Sequence, residues 1–253
     1  MTSARTPRRS GETTSRPAAP PELSGPVEDY LKAIYDIGRD AGSAATNDIA
    51  QRLSIAPASV SGMVRRLAEQ GLVAYERYRG ARLTALGRRA ALRTLRRHRV
   101  IESYLAEALG YPWDRVHAEA ERLEHAASEE LIDRMAAAIG EPEVDPHGAP
   151  IPTREGAVDE TRHLPLTELP VGASARIMRV GDDDAALLRY LSELELLPGT
   201  VVALAARAPF GGPLTLIVNG ARCVIGAELA AQLRVSPGRT RPARDPRPRR
   251  AAK

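Results

Sequence analysis

The stretch His117-Ala118-Glu119-Ala120-Glu121-Arg122-Leu123-Glu124-His125 constrains this chain more than any other. Wound as an α-helix at about 100° per residue, it brings His117, Glu121, Glu124 and His125 into one arc of roughly 100°. Two imidazoles and two carboxylates then crowd a single face. Burying that many ionisable groups is unfavourable unless they pair or share a cation. A metal ion is the simplest explanation, and a salt-bridge network is the alternative. His98 and Glu102, at i and i+4, share a face of a preceding helix. Two antiparallel helices would set them opposite the first cluster. Glu119, Glu129 and Glu130 point elsewhere and read as ordinary helix surface.

Catalytic readings fail on spacing. A zinc-protease helix needs His-Glu-x-x-His or His-x-x-Glu-His, and the residue three before His125 is Arg122. An oxygen-activating di-metal bundle wants paired Glu-x-x-His motifs, which this sequence lacks. It also has no Walker-type phosphate loop and no Gly-x-Ser-x-Gly elbow. The expectation is no enzyme and no small-molecule substrate, but a regulatory or structural metal.

Charge is segregated. Residues 25–99 hold 14 Lys and Arg against 7 Asp and Glu, whereas residues 100–140 hold 3 against 9. A basic block beside an acidic one suggests a polyanion-binding part followed by a cation-binding part. The single Cys223 rules out an internal disulfide and a Cys-rich zinc site. No apolar run approaches the ~20 residues of a membrane span, so the expected protein is cytoplasmic with no membrane partner.

Periodicity divides the chain. Residues 1–24 and 237–253 lack it and read as disordered tails, the second one basic. A helix from Pro26 to Arg39 leads into Thr46–Leu53, with Thr46 as cap, then a tight turn and a helix from Ala58 to Gln70 ending at Gly71. That is a helix-turn-helix. Two short strand-like runs about Arg79-Gly80 add a basic hairpin, making residues 25–92 a winged helix. A long helix capped by Thr84 follows, then one starting at Asp114 that contains the metal face, then Ser128–Ile139. Residues 93–142 thus form a helical domain. Its stripe Leu131, Ile132, Met135 and Ile139 suits either a dimer face or an internal core. A Pro-rich linker, 143–163, precedes a small β-barrel at 164–236. Its strand runs are Ala175–Val180, Thr200–Ala206, Leu214–Val218 and Arg222–Ile225, with a helix from Asp184 to Leu194. The fold class is α+β.

The start of a recognition helix reaches base edges in the major groove. Here those positions are Pro57, Ala58, Ser59 and Ser61, with Gly62 beside them. All are small, so methyl contacts and DNA shape should outweigh bidentate readout. Arg65, Arg66, Arg77, Arg79 and Arg82 suit phosphates.

Several segments together resemble the diphtheria toxin repressor family of metal-dependent regulators, most closely its manganese-responsive branch. They are Val27 to Tyr35, Ile49 to Leu53, Ala56 to Val64, Tyr75 to Gly80, Arg97-His98-Arg99, His117 to His125, and Pro146 to Pro152. The resemblance spans about residues 25–236. It implies a homodimer whose winged helices bind a palindromic double-stranded DNA operator when loaded with divalent metal, and a barrel of Src-homology-3-like, FeoA-like form. It implies a primary site at Asp29, Glu121, Glu124 and His125 with His98 close by, and an ancillary site at His98, Glu102 and His117. Asp184 is the barrel's candidate ligand, with Asp183 as its alternative. The family's iron-sensing branch has Met and Cys where this chain has Asp29 and Glu121. Hard carboxylates in place of soft sulfur favour Mn2+, with Fe2+ as the alternative cofactor. One departure stands out: Lys32 occupies a position where the manganese branch has Glu. The competing reading is a metal-independent winged-helix regulator.

Overall fold

The computed structural model describes residues 23–76, 79–181 and 184–237. The two expected tails therefore lie outside the described residues, apart from Leu23, Ser24 and Pro237. Arg77 and Asp183 lie outside them as well.

The N-terminal part packs α1 (Gly25–Ala41), α2 (Thr46–Arg52) and α3 (Pro57–Glu69) around one apolar core, closed by the hairpin β1 (Val73–Glu76) and β2 (Gly80–Leu83). The hairpin pairs Val73 with Leu83 through Glu76 with Gly80. Ala44 bridges to Ala81 and fastens the hairpin to the helices. Thr46 is the first helical residue of α2 and not its cap; Ala45 holds the cap position with no side-chain bond.

Helix α4 (Ala85–Glu107) begins in this core and ends in the next. Leu92 and Leu95 pack with the winged helix, whereas Val100, Ile101 and Leu105 pack with α5 (Val116–Leu123) and α6 (Glu129–Ala138). The Thr84 hydroxyl accepts from Gly87 N and caps α4, as expected. The glycine inside this helix has a packing reason. A Cβ on Gly87 would stand 1.9 Å from the Leu72 carbonyl oxygen, which accepts Thr84 N at 3.0 Å. Alanine would gain about 1 kcal/mol of helix propensity. Displacing backbone in a packed core costs about 1–3 kcal/mol or more. Gly87→Ala is therefore expected to lower the melting temperature despite its better propensity; an unchanged or higher melting point would refute the close approach.

The expected stripe on α6 is divided. Ile132 and Ala136 are buried in the protomer's own core and Met135 packs against it, while Leu131 is exposed. After the linker comes a six-stranded antiparallel sheet of order β3-β8-β4-β5-β6-β7. The four expected strands are β4 (Ser174–Arg179), β5 (Val201–Arg207), β6 (Leu214–Val218) and β7 (Ala221–Ile225), and the expected helix is α7 (Ala185–Glu193). Four elements were not expected from the sequence: β3 (Leu164–Pro165), a 3-10 turn (Leu166–Glu168), α8 (Ala227–Ala231) and β8 (Arg234–Pro237). β8 pairs with both β3 and β4 and so joins the linker's end to the sheet. Among the described residues no helix is long and apolar enough to cross a membrane.

Candidate metal centre

Three segments meet around α4. One face of that helix carries His98 and Glu102, both buried. Its neighbours Arg96, Arg97 and Arg99 are buried too, and each ties a surrounding segment to α4. Arg96 donates to Pro152 O at 3.1 Å and pairs with Asp133 at 3.2 Å. Arg97 bridges Glu28 on α1 at 2.5 Å and Glu129 on α6 at 3.3 Å. Arg99 donates to Pro150 O at 2.6 Å. These bonds give partners to buried guanidinium charges that would otherwise be strongly disfavoured, although the Nε of Arg96 and of Arg97 stays without one.

The expected opposition of α4 and α5 is present. His98 Nε2 lies 3.0 Å from Glu102 Oε1 and 3.1 Å from His117 Nδ1, and His117 Nδ1 lies 3.1 Å from Glu102 Oε1. On its other side His98 Nδ1 meets Glu124 Oε2 at 2.5 Å. The four residues of the expected arc stay neighbours, with His117 Nε2 3.8 Å from Glu121 Oε1 and His125 Nε2 3.5 Å from Glu124 Oε1. α5 ends at Leu123, and Glu124, Ala126 and the residue between them form a turn. His125, in this last turn, reaches α1, with Nε2 2.9 Å from Asp29 Oδ1 and Nδ1 2.7 Å from Glu28 Oε2. The Glu28 contact fixes the imidazole orientation from behind, as outer carboxylates do for metal-binding histidines.

Among the described residues, four groups of three donors could each hold an ion: Asp29–Glu124–His125, His98–Glu121–Glu124, His98–Glu102–His117, and Glu102–Asp145–His147. They overlap through Glu124, His98 and Glu102, giving a continuous run of donors from α1 to the linker. The fourth group went unread in the sequence. Asp145 Oδ1 accepts the backbone N–H of His147 and of Ala149, both at 2.9 Å, which folds a tight turn and buries both side chains. His147 Nε2 is 2.9 Å from Trp113 O and its Nδ1 is 3.8 Å from Glu102 Oε1. Glu102 Oε2 and His147 Nδ1 are buried with no hydrogen-bond partner. Buried polar atoms are rarely left so, and a cation between them would satisfy both. The donors are all carboxylate oxygen or imidazole nitrogen, a set suited to Mn2+ or Fe2+.

Asp184, the expected barrel ligand, belongs to none of the donor groups found among the described residues. Asp184 is exposed, and its Oδ1 accepts Ala186 N at 2.8 Å and Leu187 N at 3.3 Å. An Asp in extended conformation just before an apolar helix is an N-cap, and the structure does not bring it to the donor run.

Electrostatics follow from crowding. Burial alone would lower the His98 pKa, but the Glu102 carboxylate and hydrogen bonds to Glu102 and Glu124 outweigh it and push it up to about 10. Burial would raise Glu102 and Glu124, but the surrounding imidazoles, with Lys32 beside Glu124, hold both below the usual carboxylate range. Asp29 is raised by burial. A ligating imidazole must be neutral, so an entering ion has to take the place of protons. Lys32, from α1, reaches into the same cluster, with Nζ 2.5 Å from Glu121 Oε1 and 2.7 Å from Glu124 Oε1.

On the winged helix, Pro57, Ala58 and Ser59 are exposed at the start of α3, and Arg65 and Arg66 are exposed along it. The Ser61 hydroxyl donates to Pro57 O at 3.2 Å, inside the helix. Arg79 is exposed at the hairpin and pairs with Glu76 at 3.0 Å, a surface pair of little strength.

Comparison with known proteins gives three family matches. They are the N-terminal DNA-binding domain of iron-dependent repressors over residues 22–81, their metal-binding and dimerisation domain over 84–153, and the FeoA domain over 164–237. The iron-dependent repressor IdeR of Mycobacterium tuberculosis is 31% identical over 211 residues, 79% of this chain and 91% of that protein. The HTH-type transcriptional regulator MntR of Lysinibacillus sphaericus is 37% identical over 110 residues, 44% of this chain and 78% of that protein. Among solved structures, a manganese-dependent transcriptional repressor in complex with manganese superposes with TM-score 0.77 at 35% identity, covering 83% of this chain and 99% of that one. The IdeR of T. acidophilum gives TM-score 0.71 at 31% identity, covering 83% and 97%.

Proposed function

This chain belongs to the iron-dependent repressor family of metal-dependent transcriptional repressors, the family of the diphtheria toxin repressor, and from that premise we propose that it binds a palindromic operator as a homodimer when loaded with Mn2+. The observation that carries the reading is the clasp between domains. Asp29 rides on α1 of the DNA-reading domain, 2.9 Å from His125 Nε2 on the far side of α5. An ion bound there supplies a bond across the two domains. Asp29, Glu124 and His125 hold α1 in one orientation against the helical domain, and α1 shares its core with α3. The recognition helix is thereby held at a fixed attitude to the dimer axis. Two such helices match half-sites about one helical turn apart. Exposed Leu109, Tyr111, Leu123 and Leu131 on the helical domain support a second copy as partner. Pro57, Ala58, Ser59 and Ser61 would face bases, with Arg65, Arg66, Arg77 and Arg79 at phosphates.

Mn2+ rather than Fe2+ rests on Asp29 and Glu121, hard oxygen donors at two positions of the cluster. The iron reading keeps its own support in relatives named for iron that match most of the chain. The test is binding to duplexes selected from a random-sequence pool, followed by fluorescence anisotropy in EDTA and in Mn2+, anaerobic Fe2+ or Zn2+. Binding in Mn2+ and loss in EDTA is expected; equal binding in both sinks the metal-dependent reading. Asp29→Met with Glu121→Cys should move the preference toward Fe2+.

A further inference from the structure

We propose that Lys32 is a tethered counter-cation that competes with divalent metal for the Glu121–Glu124 carboxylate pair, and so sets the metal concentration at which the clasp fills. The inference rests on the clasp reading above. Its ammonium bonds Oε1 of both carboxylates, at 2.5 and 2.7 Å. The Lys32 side chain is 13% exposed and that of Glu124 is fully buried. Exposed Lys–Glu pairs contribute little, but this one lies largely out of water, where attraction is stronger and separating the charges is harder.

Geometry leaves Glu124 fully committed. Its Oε2 faces His98 Nδ1 at 2.5 Å and its Oε1 faces the ammonium. Glu121 Oε1 is likewise held by Lys32, with His98 Nδ1 3.6 Å away. A divalent ion on these same oxygens would stand within a few ångströms of the ammonium, whose 13% exposure leaves little solvent to screen the repulsion. An ion entering at Asp29 and His125 must therefore draw Glu124 Oε1 away from Lys32. An ion bridging Glu121 and Glu124 must evict the ammonium altogether. Lys32 reaches this position from α1, the helix that also carries Asp29. The DNA-reading domain thus contributes both the ligand that closes the clasp and the cation that opposes its filling. Without metal the same lysine links α1 to the Glu121–Glu124 pair, so its removal relieves the competition but leaves the two carboxylates unshielded.

The test is a calorimetric Mn2+ titration of the full chain, with metal content after dialysis as a second readout. Lys32→Gln is expected to bind Mn2+ at least tenfold more tightly than wild type. Lys32→Arg, which keeps the charge, should stay within about threefold of wild type. Lys32→Glu should retain one more ion per chain. Removing the ammonium brings Glu121 and Glu124 together unshielded, so Lys32→Gln should also melt lower in EDTA and gain more from Mn2+ than wild type does. A variant that folds only with Mn2+ supports the proposal. Unchanged or weaker Mn2+ binding by Lys32→Gln, alongside normal wild-type binding, overturns the role of Lys32 and leaves the clasp standing. Absence of Mn2+ binding in wild type and variant alike overturns both.

Discussion

Asp29→Ala is expected to abolish the metal response of DNA binding while leaving the fold intact. Among the described residues, Asp29 is the single donor that the winged helix contributes to the four candidate groups; all others come from α4 onward. Its loss leaves Glu124 and His125 able to hold an ion weakly, but with nothing to fasten α1. The expected fall in clasp affinity is at least a hundredfold, about 2.7 kcal/mol. That is comparable to a typical allosteric coupling of about 1–3 kcal/mol, so DNA affinity should become the same in EDTA and in saturating Mn2+. Stability should change little, because the Asp29 side chain is 35% exposed and touches the imidazole edge without packing in the core. The decisive pair of measurements is anisotropy with and without Mn2+ and a thermal melt in EDTA. A full Mn2+ response in Asp29→Ala would mean that α1 is oriented by something other than the clasp.

The ease of reading this chain followed the regularity of its backbone. His98, Glu102, His117 and Glu121 declared themselves because α-helical periodicity makes spacing into geometry. His125 was harder. It follows Glu124 by one residue, and whether it shares that residue's face depends on where α5 stops. Its partners Glu28 and Asp29 lie nearly a hundred positions away in sequence, and no local pattern encodes that contact. Asp29 itself lies among apolar helix positions and entered only through family resemblance. Asp145 and His147 sit in a turn of a Pro-rich linker, where no period relates neighbours, so their convergence on Glu102 was invisible. Asp184 is the opposite case. Its place before an apolar helix was a legible cap signal, and its Oδ1 accepts two helix N–H groups there. In the barrel, β3 is two residues long and β8 runs into proline, so neither offers the alternation that marked the other strands. The winged helix was the most legible part, since glycine or proline marks the ends of α1, the start of α3 and the hairpin turn.

Gly148→Ala should produce the largest structural effect of any single methyl added near the donor run. Gly148 has φ of +85°, a conformation that L side chains rarely adopt, and a Cβ there would lie 1.9 Å from the Met178 carbonyl oxygen. Strain of about 1–3 kcal/mol adds to a backbone collision of about 1–3 kcal/mol or more, and no flexible side chain is available to yield. The turn at Asp145–Ala149 is also where the linker lies on β4, through Val180 N donating to His147 O at 3.0 Å. Alanine must therefore lift the turn from the barrel or distort β4. Either movement draws His147 away from Glu102 and from Trp113, whose ring it faces at 5.6 Å. Trp113 is the one tryptophan in the sequence, and it also packs against the barrel core. Its emission should shift to the red in Gly148→Ala, with a barrel transition separating from the main melt at lower temperature. Gly148→Ala with wild-type emission and a single unchanged transition would mean that the turn can move without disturbing Trp113, and the tight linker–barrel contact would then carry no stability.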